Sequence, residues 1–195
     1  MRICFVGDSF VNGVGDPRGL GWTGRVCVEA HQYPDEITHY NLGIRRETSA
    51  DILKRWLGEV SCRLSPEDDS QVVFSFGVND TTIEQGKTRV SLSDSLNNTR
   101  QILTTASSHF PVLMIGPPPI ADIEQNQRIN NLSEKIQFIC EQVNIPYLDV
   151  FTPLKSSAVW MSEVENYDGA HPREKGYAKL ANLVKSWSAW QSWFK

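Results

Sequence analysis

The sequence predicts an α/β fold, a three-layer sandwich in which helices cover both faces of a five-stranded parallel sheet. Short runs of apolar residues alternate along the chain with longer segments that have apolar residues at helical spacing. The short runs lack a polar face, which is typical of parallel strands buried on both sides. Strands that alternate with helices of ten or more residues build such a sheet. No repeat or linker interrupts the pattern.

Length and composition are those of a single domain spanning residues 1–195. The chain has 195 residues, of which 40% are hydrophobic and 22% charged. A chain of this length can bury about 70% of its unfolded surface, so its core needs no disulfide or metal. The net charge of −4 gives no indication of a nucleic-acid partner. These numbers favour a protein that acts on small, neutral or weakly charged molecules.

The predicted strands are short apolar runs bounded by turn residues. The first contains Ile3, Cys4, Phe5 and Val6 and ends abruptly at Gly7. Because ligands of open α/β sheets bind at the carboxyl ends of the strands, the residues that follow each run are candidates for chemistry. The five runs span residues 3–6, 37–42, 71–76, 111–115 and 145–150.

The predicted helices lie between these runs and after the last one. The second begins with a serine or threonine cap at Thr48 and Ser49, and a short helix is expected around Trp160. The helical patterns span residues 22–30, 48–60, 92–103, 129–143 and 173–193.

The last helix ends in a tryptophan-rich tail. Trp187, Trp190 and Trp193 recur at every third position, so we expect their rings along one helical stripe. A terminal helix docked on the sheet explains this pattern. A contact between two copies of the chain, or with a membrane, is the alternative.

The cysteines and the N-terminus bear on location. Cys4, Cys27, Cys62 and Cys140 form no CxxC pair, and three of them lie in apolar segments. Buried free thiols are expected in a reducing compartment, so we expect a cytoplasmic protein. The first residues do not resemble a signal peptide, and no apolar stretch reaches membrane-spanning length. A secreted or periplasmic location with a leader removed before Met1 is the alternative.

Polar groups follow three of the predicted strands and precede the last helix. Ser9 follows the first strand, Gly43 the second and Asn79 the third, while Asp168 and His171 lie before the final helix. A serine hydroxyl needs a base and a group that orients this base, roles that His171 and Asp168 would fill. The N–H groups of Ser9 and Gly43 and the Asn79 amide would bind an oxyanion. Taken singly, each segment is more typical of a turn or a cap.

These segments together resemble the four blocks of the SGNH, or GDSL-type, esterases and lipases. The blocks occur in the order of the family and cover nearly the whole chain. They are Gly7-Asp8-Ser9, Gly43 in Asn-Leu-Gly, Gly77-x-Asn79-Asp80 and Asp168-x-x-His171. The resemblance implies a flavodoxin-like sheet and an ester substrate cleaved through an acyl-enzyme on Ser9, with no metal or organic cofactor.

The chain departs from the family pattern at two positions. Phe10 follows the nucleophile where the family often has leucine or isoleucine, and Arg46 stands where a glycine usually permits a positive φ. With Arg45, Arg46 would place positive charge near the site and favour acidic substrates. The alternative is a solvated pair of arginines bridged to Glu47 or Asp51.

The substrate pocket has no readable pattern in the sequence. Its candidate residues are Phe10, Trp22, Arg46, Asp80, Ile120, Trp160 and Met161. Of these, Trp22, Ile120, Trp160 and Met161 fit the core equally well.

Two other functions fit parts of the sequence. A metal-dependent phosphoesterase would use Asp8, Asn79 and His171 as ligands, but such sites normally need more histidines than the four in this chain. An inactive carbohydrate- or lipid-binding module is the second, although the complete set of serine, histidine, aspartate and asparagine argues against lost catalysis.

Overall fold

The computed structural model describes residues 1–30 and 36–194. The strands over these residues are β1 (Arg2–Gly7), β2 (Thr38–Gly43), β3 (Ser70–Ser75), β4 (Ile83–Glu84), β5 (Lys87–Thr88), β6 (Val112–Ile115) and β7 (Tyr147–Leu148). The helices are α1 (Ser9–Asn12), α2 (Gly21–Ala30), α3 (Ser49–Ser61), α4 (Leu92–Ser107), α5 (Ile123–Gln142), α6 (Phe151–Lys155), α7 (Ala158–Glu165), α8 (Glu174–Ser186) and α9 (Ser188–Gln191). Single 3₁₀ turns span Asn79–Thr81 and Ser192–Phe194.

Five of the strands form one parallel sheet in the order β2-β1-β3-β6-β7. This is the flavodoxin-like order: β2 is added on one side of β1, and β3, β6 and β7 follow on the other, so the strand order reverses between β1 and β3. Ser9 follows β1 and Asn79 follows β3, so both lie beside the crevice where doubly wound sheets bind ligands. The predicted α/β/α architecture with a five-stranded parallel sheet is confirmed.

Two cores cover the two faces of the sheet. Ile3 and Phe5 point toward α2, α7 and α8, whereas Cys4 and Val6 point toward α3, α4 and α5. All four side chains are fully buried, because successive residues of a strand alternate between two covered faces. The run of apolar residues in β1 therefore reflects burial on both sides, as the sequence predicts.

Three segments differ from the sequence prediction. The loop after Asn79 contains the β4–β5 hairpin, which the polar sequence did not indicate. The fifth strand is only Tyr147–Leu148, since Pro146 has no N–H to donate and the Asp149 side chain accepts the Phe151 N–H where α6 begins. The helix predicted through Trp193 is also wrong, because it breaks at Trp187, whose ψ is 124°.

The break turns the tail onto the sheet. Trp190 and Phe194 join the core beside α2 and α8, and the Trp190 ring lies 6.1 Å from that of Phe5. Tryptophan burial in the tail is therefore achieved by docking on this chain's own core. A contact between copies through the tail stays a prediction. The four cysteines are free thiols, with Cys62 exposed and the others buried.

Candidate active site

Ser9 is presented by a tight turn at the end of β1. Asp8 caps α1 by accepting the Phe10 N–H at 3.0 Å, and Gly13 ends this single turn with φ 87°. Gly7 permits a close approach of β3, because a Cβ atom there would lie 2.0 Å from the Ser75 carbonyl oxygen. This packing sets the backbone that carries Ser9 at the carboxyl end of β1.

His171 and Asp168 lie beside Ser9 in the loop before α8. The distance from His171 Nε2 to Ser9 Oγ is 2.7 Å, and that from His171 Nδ1 to Asp168 Oδ2 is also 2.7 Å. An ionised carboxylate only accepts hydrogen bonds, so Nδ1 carries the imidazole proton. Nε2 is then the free base that accepts the Ser9 hydroxyl proton. The structure thus brings Ser9 next to Asp168 and His171, which share one turn and lie 159 and 162 positions further along the chain.

The electrostatics keep this base neutral and its partner charged. Burial lowers the pKa of His171 below its ordinary 6.5, against the raising effect of the Asp168 carboxylate, and Arg45 lowers it further. Burial tends to raise the pKa of Asp168, but hydrogen bonds from the backbone and ring of His171 and from Ala170 N–H hold it below 3.8. At neutral pH, His171 is therefore an unprotonated imidazole ready to accept a proton.

The His171 loop is fixed from both sides. The Phe10 ring packs 4.9 Å from the imidazole and stacks on Trp160, whose indole N–H donates to the Pro119 carbonyl at 2.9 Å. The Glu163 carboxylate of α7 accepts N–H groups from the start of α8, including Gly176 N–H at 2.6 Å. A rigid loop of this kind keeps the imidazole oriented without help from a substrate.

Gly43 lies opposite Gly7 at the end of β2. A Cβ atom at Gly43 would lie 2.2 Å from Asn12 N and 2.7 Å from Asp8 O, so only glycine fits against α1. Its N–H, one of the predicted oxyanion donors, donates to Asn41 Oδ1 at 3.0 Å. In this structure the donor therefore has an internal acceptor.

Asn79 extends its amide toward the same edge from the turn after β3. Nδ2 donates to the Glu47 carbonyl at 2.9 Å and lies 3.4 Å from Asp8 Oδ2. The second contact is long for a hydrogen bond, which leaves this amide hydrogen open to a better acceptor. Asp8 is buried and its pKa is raised to about 7, chiefly by loss of solvation. Its carboxylate accepts the Phe10 N–H and contacts the Asn79 amide, so it links the turn after β1 to the turn after β3.

Most of the residues predicted to line the substrate pocket belong instead to the core. The local sequence pattern of these residues fits either the core or a pocket wall. Their burial follows from the neighbouring helices, which cover them in the folded chain. Phe10, Trp22, Ile120 and Trp160 are at most 6% exposed, and Met161 packs against the same core. Trp22 meets the Phe5 ring edge-on at 5.4 Å. Asp80 is buried too and accepts Ser49 N–H at 2.7 Å and Ser95 Oγ–H at 2.6 Å, so it ties α3 to α4.

Arg46 adopts a left-handed backbone conformation, which glycine tolerates more readily than other residues do. Its φ is 71°, in a turn that the Glu47 N–H closes by donating to Ile44 O at 3.4 Å. The side chain is 72% exposed and pairs with Glu84 of the β4–β5 hairpin at 3.1 Å. Glu47 and Asp51, the partners that the alternative interpretation assigned to the two arginines, are not partners of Arg46: Glu47 pairs with Arg55, and Asp51 accepts from Thr48.

Arg55 is a residue of this region that the sequence analysis missed. From α3 its guanidinium contacts the backbone at the ends of β1 and β2 and the carboxylate of Glu47. A signal was present, since Arg55 lies within the apolar stripe of Ile52, Trp56 and Val60, where a charged side chain needs buried partners.

The ligands of the alternative metal site are committed elsewhere. Both ring nitrogens of His171 are engaged, by Ser9 and by Asp168. Over residues 1–30 and 36–194, no group of three or more His, Cys, Asp or Glu side chains is arranged to hold a metal ion. Within the same ranges, no helix has the length and apolar character needed to cross a membrane.

Comparisons with known proteins agree with this geometry. The model of the GDSL-like lipase/acylhydrolase family matches residues 5–179. A curated relative, the uncharacterized protein YpmR of Bacillus subtilis (strain 168), is 22% identical over 181 residues, which cover 91% of this chain. The match spans 62% of that relative's own length.

Solved structures share the fold. A lipase/acylhydrolase from Enterococcus faecalis has a TM-score of 0.77 at 24% identity, covering 94% of this chain and 93% of that one. An acetylxylan esterase from Geobacillus stearothermophilus has a TM-score of 0.77 at 16% identity, with 96% and 95% covered. A lipolytic G-D-S-L protein from Veillonella parvula DSM 2008 has a TM-score of 0.76 at 18% identity, with 94% and 96% covered.

Proposed function

Because this chain belongs to the GDSL-like lipase/acylhydrolase family, we propose that it hydrolyses carboxylic esters through an acyl-enzyme formed on Ser9. The observation that carries the proposal is the pair of 2.7 Å contacts that link Ser9 Oγ to His171 and His171 to Asp168. A serine, a base and a carboxylate that orients the base are the parts that acyl transfer by a serine nucleophile requires.

In the first half of the reaction, Ser9 Oγ attacks the ester carbonyl while its proton passes to His171 Nε2. The C=O double bond becomes a single bond, and its electron pair rests on the oxygen as an oxyanion. Asp168 stabilises the imidazolium through the Nδ1 hydrogen bond. When the carbonyl re-forms, the bond to the leaving oxygen breaks, and His171 gives its proton to the departing alcohol.

In the second half, water takes the place of the alcohol. His171 removes a proton from the water, and the resulting hydroxide adds to the acyl carbonyl and regenerates an oxyanion. Collapse of this intermediate breaks the bond to Ser9 Oγ, which recovers its proton from His171. The carboxylic acid leaves, and the resting hydrogen bonds are restored.

The oxyanion is bound in this proposal by the N–H groups of Ser9 and Gly43 and by the Asn79 amide. The long Asn79 contact to Asp8, 3.4 Å, supports the idea that one amide hydrogen can turn to the substrate. For Gly43, the substrate oxygen must compete with Asn41 Oδ1. A charged oxyanion is a stronger acceptor than a neutral amide oxygen, so the competition favours the transition state over the ground state.

We propose further that the acyl group is short, on the scale of acetyl. The Phe10 ring packs against His171 and stacks on Trp160 at 6.4 Å, and both rings are buried in the core. A long acyl chain would need these rings to move apart. The acetylxylan esterase from Geobacillus stearothermophilus, which shares the fold, acts on an acetyl ester by its name.

The test is a series of p-nitrophenyl esters from acetate to palmitate with the wild-type protein and Ser9→Ala. We expect the highest kcat/KM for acetate or butyrate, and a loss in kcat of about 10⁶-fold for Ser9→Ala. Labelling by a fluorophosphonate should occur on wild type and be absent from Ser9→Ala. Turnover by Ser9→Ala near the wild-type rate would rule the mechanism out, and a preference for palmitate would rule out the short acyl group.

A further inference from the structure

Arg55 connects the segments that carry the proposed oxyanion donors. It lies in α3, and its side chain is 14% exposed. Nη2 donates to Leu42 O at 2.9 Å and to Gly7 O at 3.1 Å, and Nε donates to Glu47 Oε2 at 2.6 Å. One planar guanidinium thus reaches the ends of two strands and the loop after the second.

Each of these acceptors belongs to a segment that carries a proposed oxyanion donor or holds one by a hydrogen bond. Gly7 O lies two residues before Ser9 and also accepts Ile44 N–H at 3.0 Å. The Glu47 backbone carbonyl holds the Asn79 amide at 2.9 Å, while the Glu47 carboxylate is held by Arg55. The donors come from three parts of the chain, so their spacing depends on what links those parts.

The contact with Leu42 acts on a donor through a single peptide unit. The carbonyl of Leu42 and the N–H of Gly43 belong to the same planar, resonance-stabilised amide. A hydrogen bond to the carbonyl from a charged donor polarises the amide and strengthens its N–H as a donor. The Gly43 N–H should therefore bind an oxyanion more strongly while Arg55 is in place.

From these contacts we infer that Arg55 is a positioning residue for the oxyanion hole, linking the Ser9 turn, the Leu42–Gly43 peptide and, through Glu47, the Asn79 amide. This inference rests on the proposed esterase function. Arg55 touches neither Ser9 Oγ nor His171, so its loss leaves the proton transfer groups in place. It acts through the donors alone.

Only a rigid, forked donor can make these contacts together. Arginine offers five N–H groups in a fixed plane, whereas the lysine ammonium is a point charge on a flexible stem. Lysine at position 55 keeps the positive charge beside Glu47 and Glu59, whose Oε2 lies 3.2 Å from Arg55 Nη1. It cannot bridge the two strand ends in the same geometry. Arg55→Lys therefore separates charge from positioning.

Arg63 provides a matched control two residues after the end of α3. Its Nη1 donates to the Glu59 carbonyl, and its guanidinium lies over the Tyr40 ring at 6.0 Å, away from the proposed donors. Arg63→Ala removes an equally large, partly buried side chain from the same part of the fold. A general loss of stability should affect both arginine variants.

The experiment measures kcat and KM for p-nitrophenyl acetate, with thermal unfolding of each variant as a check on folding. We expect Arg55→Ala and Arg55→Lys to lower kcat by about 100-fold, the scale of one lost oxyanion donor, with KM changed by less than about three-fold. Arg63→Ala should keep kcat within about two-fold of wild type. Millimolar guanidinium, far below its molar denaturing range, should restore part of the kcat of Arg55→Ala.

Three outcomes would overturn the inference: kcat of a folded Arg55→Lys within about three-fold of wild type, an equal loss in Arg63→Ala, or a loss confined to KM. If Arg55→Ala does not fold, Arg55→Lys decides, because it retains the charge. Wild-type protein that neither cleaves the ester nor reacts with a fluorophosphonate would instead overturn the proposed function. An active wild type with an equally active Arg55→Lys overturns only the role of Arg55.

Discussion

The candidate site has two sides that differ in how their polar groups are engaged. On the triad side, Ser9, His171 and Asp168 form a chain of 2.7 Å contacts in the arrangement that the proposed chemistry uses. On the oxyanion side, Gly43 N–H donates to Asn41 and the Asn79 amide to the Glu47 carbonyl. The first side is assembled before substrate arrives, whereas the donors of the second have internal acceptors.

This difference has a physical origin. The triad members find their partners in one another and in the loop that carries them: Ser9 Oγ contacts His171, and Asp168 accepts from the His171 ring and from the N–H groups of Ala170 and His171. Oxyanion donors lack their reaction partner until the oxyanion forms, and an N–H group that is shielded from water costs free energy when it has no acceptor. Internal acceptors that are weaker than an oxyanion avoid this cost and yield to the transition state. The variants below separate the two sides.

The largest expected effect comes from breaking the triad side. His171→Ala should lower kcat for p-nitrophenyl acetate by about 10⁵-fold, because no base remains to take the Ser9 proton. Asp168→Asn should lower it by about 10³-fold, since an amide favours the wrong imidazole tautomer. A loss below about ten-fold in His171→Ala would contradict the proposed role of the histidine.

Breaking the oxyanion side should cost less. Asn79→Ala is expected to lower kcat by about 10²-fold with little change in KM, because the amide acts on charge that develops in the transition state. Asn98→Ala is the control, since that partly buried amide donates to Ser49 Oγ at 3.0 Å, at the first residue of α3. Steady-state kinetics of both variants measure the difference. An unchanged kcat in Asn79→Ala would remove this residue from the mechanism.

Asp8, which contacts the Asn79 amide on the oxyanion side, should affect the pH dependence of thermal stability. The pKa of Asp8 is raised from 3.8 to about 7 by burial, so its contribution to stability is present below pH 3.8 and is lost as the pH rises through about 7. Asp8→Asn stays neutral and still accepts the Phe10 N–H. We expect it to raise Tm by about 5 °C at pH 8 and by less at pH 5.

Asp16 gives the opposite sign and serves as the comparison. Burial tends to raise the pKa of Asp16, but hydrogen bonds from Arg25 and from the N–H groups of Arg18 and Gly21 hold it below 3.8. Its stabilisation is present above pH 3.8 and is lost as the pH falls through its lowered pKa. Asp16→Asn should therefore lower Tm at pH 8. A pH-independent effect of Asp8→Asn in thermal melts would contradict the assignment.

Replacing either of the two arginines in the turn after β2, Arg45 or Arg46, should change activity least, and the two variants should differ in their pH profiles. Burial keeps the pKa of His171 below 6.5, and the charge of Arg45 lowers this pKa further. The midpoint of the loss of kcat/KM on the acid side should therefore lie below pH 6.5. Arg45→Ala should move this midpoint to higher pH. Arg46→Ala should leave it in place, because Arg46 pairs with Glu84. The pH profiles of both variants measure the shift, and equal profiles would remove Arg45 from the electrostatics of His171.

Periodicity and strand-end residues were enough to predict most of the fold. The apolar run of β1 predicts a strand covered on both faces, and the alternation of strands and helices predicts the parallel sheet. The fifth strand was predicted over residues 145–150, but Pro146 and the Asp149 contact with Phe151 N–H limit it to Tyr147–Leu148. The break at Trp187 was not predictable, because it depends on what the tail packs against. The β4–β5 hairpin lacks apolar periodicity and so gave no signal.

The polar residues that follow the strands could be read from the sequence, since parallel strands carry Ser9, Gly43 and Asn79 to one edge of the sheet whatever the details of packing. That Trp22 and Trp160 fill the core instead of a substrate pocket follows only from the packing of the folded chain. This packing alone also joins Arg55 to the ends of β1 and β2, 48 and 13 positions away. The reason is physical: periodicity reports the environment of a face, but a contact between distant residues depends on the geometry of the whole fold.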